Sequence, residues 1–371
     1  SAEKMIREKE PSFRIDSIDI EDKAVFAMMC NAQTEGVFQF ESAGMRSVLS
    51  QLKPESLEDL IAVISLYRPG PMDSIPTYIE NRHHPEKIKY KVPQLRSILV
   101  VTYGCMVYQE QVMQICRELA GYSYGRADIV RRAMSKKKHD VMLKERENFV
   151  HGMVDENGNV VCEGAVRRGI DEKTANEIFD EMISFASYAF NKAHAAAYAY
   201  VSYQTAWLKC HYPCEFFAAL LTSFLDRTDK IVQYINECSR LGIKILPPHI
   251  NQCSEEFAVS DGNIHFSLLA VKNLGRSFIR RIIDERKSGG NFVDFYDFCR
   301  RMHGKDFNRR AIESLIKCGA FDGLGANRRQ MYNVIDEIIE ELESSRRKNV
   351  DGQLGFADLT ASSDEETGIQ S

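Results

Sequence analysis

The sequence predicts a mainly α protein that carries two short β-hairpins. Apolar residues recur at the spacing of amphipathic helices along most of the chain. Short extended runs flank two turn signals, Asn157-Gly158 and Asp261-Gly262-Asn263, and turns of this composition favour hairpins. The chain has 371 residues, of which 44% are hydrophobic and 27% charged, so it is long enough for about two to three domains with packed cores.

The helices of the first two thirds follow in order from this periodicity. The helix predicted at 55–67 begins with a cap formed by Ser56 and Asp59. The Arg-Pro-Gly-Pro run at 68–71 ends this helix, because proline cannot continue one. Gly121 and Gly242 end two others, since glycine readily adopts the left-handed conformation that closes a helix. The predicted helices cover 22–32, 55–67, 108–120, 171–186, 194–209, 215–226 and 230–241.

Pro247-Pro248 marks a domain boundary, because the long predicted helices before it give way to a hairpin and shorter helix-turn-helix units after it. Two helix-turn-helix units are predicted beyond the second hairpin. The first begins at Val271 and turns at Gly275, and the second spans 310–342. From about Ser344 the chain is polar, acidic and poor in aromatic residues, which is typical of a tail that does not join a core.

The net charge of −5 hides an uneven distribution of charge. From Asp336 to the end there are ten acidic and three basic residues, and the rest of the chain has 45 basic against 43 acidic residues. Residues 126–151 carry eight basic and four acidic side chains. A basic stretch of this kind suits an anionic partner even though the whole chain is acidic.

Several classes of protein are excluded or disfavoured. No apolar stretch approaches the length of a membrane span, and the ten cysteines are scattered as in a reducing compartment, so a cytoplasmic protein is expected. Zinc at Cys210, His211 and Cys214 is disfavoured because a structural site needs four ligands. The chain has no Walker loop, Rossmann fingerprint or nucleophile elbow, and no carboxylate cluster for two-metal chemistry. We therefore expect no catalytic or metal-binding residues in it.

The basic run at 126–138 is the first candidate site. Arginine offers a bidentate fork and lysine a compact charge, and both suit phosphate groups. Apolar residues at Ile129, Val130 and Met134 would hold one face of the segment against a core. A solvated helix face is the alternative interpretation. The cations concerned are Arg126, Arg131, Arg132, Lys136, Lys137 and Lys138.

The second candidate is the group Asn191, Lys192 and His194, at the beginning of an alanine-rich helix. The first N–H groups of a helix and its dipole favour an anion, and the small alanines leave the approach open. A capping or surface role for His194 is the alternative. Further along this helix, Tyr203 could stack on a base, although core packing explains a tyrosine there equally simply.

Six segments of the chain resemble, in order and spacing, the bacterial DNA polymerase III alpha-subunit family, from roughly Asp22 to Gly325. They are GVFQFES (36–42), LYRPGPM (66–72), VYQEQVMQI (107–115), AGYSYGRADIVRRAMSKKK (120–138), FNKAHAAAYAYVSYQTAWLK (190–209) and HYPCEFFAALLT (211–222).

The resemblance implies a helical fingers domain followed by a smaller domain with tandem helix-hairpin-helix units. The expected boundaries are the end of a palm or linker at 1–22, fingers at 23–245, the helix-hairpin-helix domain at 246–343 and an acidic tail at 344–371. The family is a DNA-directed DNA polymerase whose Mg²⁺ ligands belong to the palm, so this segment alone is expected to be inactive. Its expected partners are primer-template DNA, a deoxynucleoside triphosphate, the sliding clamp and other replisome subunits.

The resemblance also assigns roles to individual residues. Those expected to contact the incoming nucleotide are Arg131, Arg132, Lys136, Asn191, Lys192 and His194. Those expected to contact DNA are Lys137, Lys138, Tyr203, Lys272, Asn273, Gly275, Arg276, Arg328 and Arg329.

Two segments depart from the family pattern. In the first, Arg276 and Ser277 stand where a second hairpin glycine is usual. For Arg328 and Arg329, which lie outside these two segments, an exposed helix start is an equally good explanation. Gln353, Leu354 and Phe356 resemble a clamp-binding segment whose Gln-to-Phe spacing is one residue short. The alternative function is a module that recruits the clamp or another replisome partner through the acidic tail.

Overall fold

The structure is a computed structural model that describes residues 1–135, 139–186, 190–304 and 306–344. It is mainly helical with a few short strands, as predicted. The chain forms two compact units, one of residues 14–211 and one that joins 1–13 to the part after 211. The functional boundaries expected at 22, 245 and 343 stay a prediction. No helix in the described ranges is both long enough and apolar enough to cross a membrane.

Elements are numbered along the whole chain, and α1 (Ala2–Lys9) belongs to the second unit. The unit of residues 14–211 contains a β-hairpin, in which β1 (Met153–Val154) pairs antiparallel with β2 (Val160–Cys162) around the predicted turn. Its helices are α2 (Lys23–Cys30), α3 (Ala43–Leu52), α4 (Leu57–Leu66), α5 (Ile75–His83), α6 (Leu95–Leu99), α7 (Gln109–Ala120), α8 (Tyr124–Ser135), α9 (His139–His151), α10 (Glu172–Ala186) and α11 (Lys192–His211).

Local sequence signals set the ends of several of these helices. Ser56 and Asp59 form the predicted capping box of α4: the Asp59 N–H donates to Ser56 Oγ at 3.3 Å and the Ser56 N–H to Asp59 Oδ2 at 3.2 Å. Gly121 ends α7 with a φ of 72°, a left-handed conformation that costs glycine little. These predictions are confirmed.

Two apolar cores fill this unit. The first surrounds α4 and α11, where Ala195, Ala199 and Ala206 allow the two helices to pack closely. The second is built from α6 to α10 and includes Phe149 and Phe179. α7 contributes to the second core along its length, while Tyr108, immediately before it, is buried in the first. The beginning of α7 therefore lies where the two cores meet.

Tyr203 belongs to the first core. It is fully buried, its hydroxyl donates to the Asp19 carbonyl at 3.0 Å, and it accepts a hydrogen bond from the Asp22 N–H at 3.1 Å. A ring enclosed in this way presents no face to a base. The structure therefore supports the core-packing alternative for Tyr203, and the expected stacking contact is corrected on this ground.

The second unit combines a small sheet with a run of helices. The predicted hairpin forms between β4 (Ala258–Ser260) and β5 (Asn263–His265), and β3 (Ile245–Leu246) pairs parallel with β5. Asp261 and Gly262 make its turn with φ values of 51° and 73°. The further helices are α12 (Pro213–Ser223), α13 (Thr228–Arg240), α14 (Arg276–Gly289), α15 (Phe295–Met302), α16 (Arg309–Cys318), α17 (Arg328–Asn333) and a helical segment at 335–344.

The two predicted helix-turn-helix units share one core in this part of the chain. Phe278 on α14, Phe298 on α15 and Ile312 on α16 are completely or almost completely buried in it. Phe321, from the turn that follows α16, packs edge to face on Phe298 at 4.9 Å between ring centroids. The turns before α14 and before α17 are therefore both anchored by the same apolar cluster.

Candidate functional site

The beginning of α7 holds the beginning of α11. The Gln109 N–H donates to the Phe190 carbonyl at 2.9 Å, next to a parallel bridge between Tyr108 and Phe190. The Glu110 carboxylate accepts from Asn191 Nδ2 at 3.0 Å and from the Lys192 N–H at 3.1 Å. Glu110 thus satisfies donors at the start of α11 that no turn of the helix itself can satisfy.

The same turn of α7 also contacts α8. Arg131 Nη1 donates to Gln109 Oε1 at 2.8 Å, while its Nε and Nη2 donate to Asp128 Oδ1 at 2.9 and 2.7 Å. Gln109 therefore contacts α8 through its side chain and the Phe190 segment through its backbone. We call the set formed by Gln109, Glu110, Asp128, Arg131, Arg132, Phe190, Asn191 and Lys192 the α7 junction.

Asp128 binds both arginines of the junction. Its second carboxylate oxygen, Oδ2, accepts from Arg132 Nε at 2.8 Å and also from Arg132 Nη2. The hydrogen bonds from Arg131 and then Arg132 hold the pKa of Asp128 below its usual value. The Arg132 side chain remains 63% exposed, against 26% for Arg131. One carboxylate therefore holds two guanidinium groups side by side at the surface.

Polar and aromatic groups surround the first turn of α11. Asn191 Oδ1 accepts from the His194 N–H at 2.9 Å, which caps the helix. Lys192 Nζ pairs with Glu58 Oε2 at 3.0 Å. The exposed His194 ring packs against Phe190 and Tyr198, with ring centroids 5.3 and 4.6 Å apart.

The structure sorts the residues of the basic run. Arg131 and Arg132 lie at the α7 junction, whereas Lys136, Lys137 and Lys138 fall outside the described residues. Arg126 donates to both oxygens of Glu145, at 2.9 and 3.0 Å, and so links α8 to α9 instead of facing solvent. Val130 is buried as expected, but Ile129 is 59% exposed, so the expected apolar face is narrower than the sequence suggested.

Four residues at or near the α7 junction were not predicted from the sequence: Gln109, Glu110, Asp128 and Arg68. Gln109, Glu110 and Asp128 lie inside the motifs that carry the family resemblance, and Asp128 precedes the two arginines by three and four residues, the spacing of ion pairs on a helix. Arg68 lies over the Phe190 ring, with its guanidinium carbon 4.0 Å from the centroid, and burial lowers its pKa. The contacts of Gln109 and Glu110 with distant helices had no local signal.

In the second unit, the turn at 271–275 before α14, which is the first hairpin of the predicted helix-hairpin-helix pair, contacts α16. Asn273 has a φ of 65°, and its Nδ2 donates to Ser314 Oγ at 2.9 Å. Lys272 and Asn273 line an open groove of about 880 Å³ together with Arg310 and Lys317. The hairpin and α16 therefore present three cations on the two sides of one groove.

Glu255 holds the arginine at the beginning of α14. Arg276 Nη1 donates to Glu255 Oε1 at 2.7 Å, and Arg280 Nε donates to Oε2 at 3.2 Å. The hydrogen bond from Arg280, more than that from Arg276, lowers the pKa of this carboxyl against the effect of burial. Gly275 faces open space, since a Cβ built there would meet only Ser277 Oγ, at 3.8 Å.

Arg328 and Arg329, which follow the second hairpin of the helix-hairpin-helix pair, before α17, differ in their contacts. Arg328 Nε donates to Asp322 Oδ1 at 2.9 Å, and this ion pair lowers the pKa of Asp322. Arg329 is exposed, and its side chain makes no hydrogen bond or ion pair with the part of the chain that the structure describes. Gln353, Leu354 and Phe356, the expected clamp segment, lie outside that part.

No group of three or more His, Cys, Asp or Glu side chains in the described ranges could hold a metal ion. The ten cysteines, all of which lie in those ranges, form no disulfide. The groups that could act on a ligand are therefore the cations, amides and helix ends described above.

Two family models match the chain. The model described as the bacterial DNA polymerase III alpha subunit finger domain matches residues 1–157. The model described as a helix-hairpin-helix motif matches residues 242–331. The first match includes α7 and α8, and the second includes both turns that precede α14 and α17.

Curated relatives are similar over nearly the whole chain. A protein of Borreliella burgdorferi is 42% identical over 353 residues, which are 95% of this chain and 30% of the relative. One of Escherichia coli K12 is 42% identical over 365 residues, 96% of this chain and 30% of the relative. One of Bacillus subtilis is 44% identical over 338 residues, which are 91% of this chain and 29% of the relative. Each relative is named DNA polymerase III subunit alpha, and the chain spans less than a third of its length.

Proposed function

Because the chain belongs to the bacterial DNA polymerase III alpha-subunit family, we propose that it supplies the nucleotide-gripping fingers and a duplex-holding domain of a DNA-directed DNA polymerase. The chain covers about 30% of its relatives' length, so polymerisation is proposed for a protein of their size. The observation that carries the proposal is the α7 junction. There the first turn of α7 contacts both Arg131, which Asp128 holds beside Arg132, and the beginning of the alanine-rich α11.

We propose that the triphosphate of the incoming nucleotide binds at the α7 junction. Arg131 and Arg132 offer forked donors that match phosphate oxygens, and Lys192 adds a third cation. Asn191 and His194 lie beside Lys192 at the start of α11, whose dipole favours an anion. Lys136 would act beside them. In phosphoryl transfer such groups position the phosphates and stabilise the charge that develops on them.

The Mg²⁺ that the family implies does not fit the described residues, since they contain no cluster of ligands for it. We therefore propose that its ligands lie elsewhere in a protein of the relatives' length. The residues of this chain act on the phosphates by hydrogen bonds and charge.

Primer extension by the whole protein tests the nucleotide site. Replacing either arginine by alanine, R131A or R132A, is expected to lower kcat/KM for the nucleotide by about 30- to 1,000-fold, because one charge-stabilising donor contributes about 2 to 4 kcal/mol. The matched control is R96A on α6, an exposed arginine whose side chain makes no hydrogen bond or ion pair in the described residues. Equal kcat/KM for all three variants would remove the arginines from the site.

We propose further that the two hairpins hold duplex DNA by its phosphates, without reading sequence. Lys272 and Arg329 have no competing ion pair in the described part, and Gly275 leaves its surroundings open to close approach. Arg276 and Arg328 would join them on leaving their carboxylates. Lys137 and Lys138 would contact DNA near the fingers.

Fluorescence anisotropy with a labelled primer-template duplex tests this part. A plot of the logarithm of the affinity against the logarithm of the salt concentration should have a slope of about −0.9 for each phosphate neutralised. K272A and R329A should each make that slope shallower by about 0.9, the contribution of one phosphate. Affinity that does not change with salt would contradict the proposal.

Sliding-clamp recruitment through Gln353, Leu354 and Phe356 is a separate proposal, which rests on the family resemblance. Deleting 345–371 is expected to abolish capture of the chain by the clamp from the same organism while duplex affinity is retained. Unchanged capture would contradict it. We also propose that the protein works in the cytoplasm, because ten unpaired thiols suit a reducing compartment.

A further inference from the structure

Asp128 uses all its hydrogen-bonding capacity on the two arginines. Arg131 donates two hydrogen bonds to Oδ1, and Arg132 donates two to Oδ2. Those four N–H groups are the ones that a phosphate would take in the same forked geometry. With Asp128 bound, the pair is already oriented but its donors are occupied.

Nothing else in the described residues gives Asp128 a structural task. Its carboxylate makes no other hydrogen bond or ion pair, and its side chain is 23% exposed. The hydrogen bonds from Arg131 and Arg132 lower its pKa further below neutral pH, so the carboxylate is charged there. Its neighbours Ala127 and Val130 supply the buried face of α8. The carboxylate therefore acts almost entirely on Arg131 and Arg132.

A bound polyphosphate would place negative charge beside this carboxylate. The two anions compete for the same donors and repel each other, so the affinity for phosphate is lower than the arginines alone would give. Arg131 stays oriented during the exchange, because Gln109 Oε1 accepts from its Nη1 independently of Asp128. Arg132 is exposed enough to turn from one anion to the other.

We propose that Asp128 is a positioning residue that holds Arg131 and Arg132 ready in the empty site and takes them back from the pyrophosphate product. This inference rests on the proposed nucleotide site. It gives Asp128 two effects: weaker binding of free polyphosphate and faster release of pyrophosphate. The device is an exchange of ion pairs and needs no covalent step.

Calorimetric titration of the chain with inorganic tripolyphosphate at low salt tests the inference. Asp128→Asn keeps the shape and removes the charge, and it is expected to bind about fivefold more tightly than the unaltered chain, the ratio that one charge at about 4 Å gives in water. Asp180→Asn on α10, where Asp180 pairs with Arg146, is the matched control and should leave affinity unchanged. Equal or weaker binding by D128N would overturn the inference.

The double variant R131A/R132A separates this inference from the proposed function. If it binds tripolyphosphate as well as the unaltered chain, the proposed nucleotide site is wrong. If it loses binding while D128N gains none, the nucleotide site stands and only the role of Asp128 is wrong. Equal melting temperatures for D128N and the unaltered chain show that folding is not the cause.

Primer extension by the whole protein supplies a second measurement. D128N is expected to lower the KM for nucleotide and to strengthen inhibition by pyrophosphate, each by about fivefold. A raised KM together with weaker pyrophosphate inhibition would show that Asp128 is needed for orientation alone, which overturns the proposed competition.

Discussion

The side chain of Gln109 accepts a hydrogen bond from Arg131 at 2.8 Å, and this contact joins α7 to α8. The Gln109 backbone donates to Phe190 at 2.9 Å, so a single residue contacts both segments that are expected to meet the nucleotide. Its two contacts lie 22 and 81 residues away along the chain. The site therefore depends on tertiary packing as much as on the basic run.

Replacing Gln109 by alanine is expected to raise the KM for nucleotide in primer extension by about fivefold. The variant loses the acceptor that orients Arg131, and one hydrogen bond to a charged group contributes about 1 kcal/mol or more. The control is Q114A, an exposed glutamine on the same helix. An unchanged KM in Q109A would show that Asp128 alone orients Arg131.

Glu110 is expected to stabilise the first turn of α11. In E110A the Asn191 amide and the Lys192 N–H lose their acceptor, which should cost about 1 to 2 kcal/mol in the free energy of unfolding. Hydrogen exchange at 192–195 should become faster. E118A, on the exposed side of α7, should leave both unchanged. Equal exchange in E110A and the unaltered chain would contradict the capping role.

The Arg126–Glu145 pair is expected to stabilise the fold without binding phosphate. Both side chains are largely buried, and Tyr122 donates to Glu145 Oε2 at 3.1 Å. Removing one partner of such a pair leaves a buried charge, so E145A should lose about 3 kcal/mol in urea unfolding. K87A, whose pair with Glu80 is 57% exposed on both sides, should lose much less. Similar losses in the two variants would contradict the account.

Glu255 is expected to restrain DNA binding by holding Arg276 and Arg280. E255Q frees both guanidinium groups, so its duplex affinity at low salt should rise and its salt slope should steepen by about 0.9 to 1.8. Anisotropy measures both quantities. E256Q is the matched control, because Glu256 is the next residue, is exposed, and has no side-chain partner in the described residues. An identical slope in E255Q and E256Q would exclude Arg276 and Arg280 from the DNA contact.

Sequence periodicity predicted the elements whose signals are local. α4 with its Ser56–Asp59 box and the hairpin at Asp261 and Gly262 formed as expected, because caps and positive φ angles are properties of a few adjacent residues. α5 was not predicted. Its Pro76 lies in the first turn, where proline is tolerated because no N–H is needed.

Long-range placement could not be predicted from local pattern. Tyr198 and Tyr203 lie on one helix, yet Tyr198 is 37% exposed while Tyr203 is buried, because Phe26 on α2 packs on its ring and its hydroxyl is hydrogen-bonded to the backbone at 19–22. Likewise the sequence indicated cations for a phosphate but did not reveal which carboxylates hold them. Asp128, Glu255 and Asp322 were identified only from the structure.

We propose that α8 and the start of α11 form one polyphosphate site on the first turn of α7. Backbone amide spectra of the deuterated chain, titrated with inorganic tripolyphosphate, locate the bound anion residue by residue. We expect the shifts to cluster at Gln109, Glu110, Asp128 to Arg132 and Asn191 to His194, and to disappear in R131A/R132A. Shifts confined to the hairpins around Lys272 and Arg329, with none at the α7 junction, would contradict it.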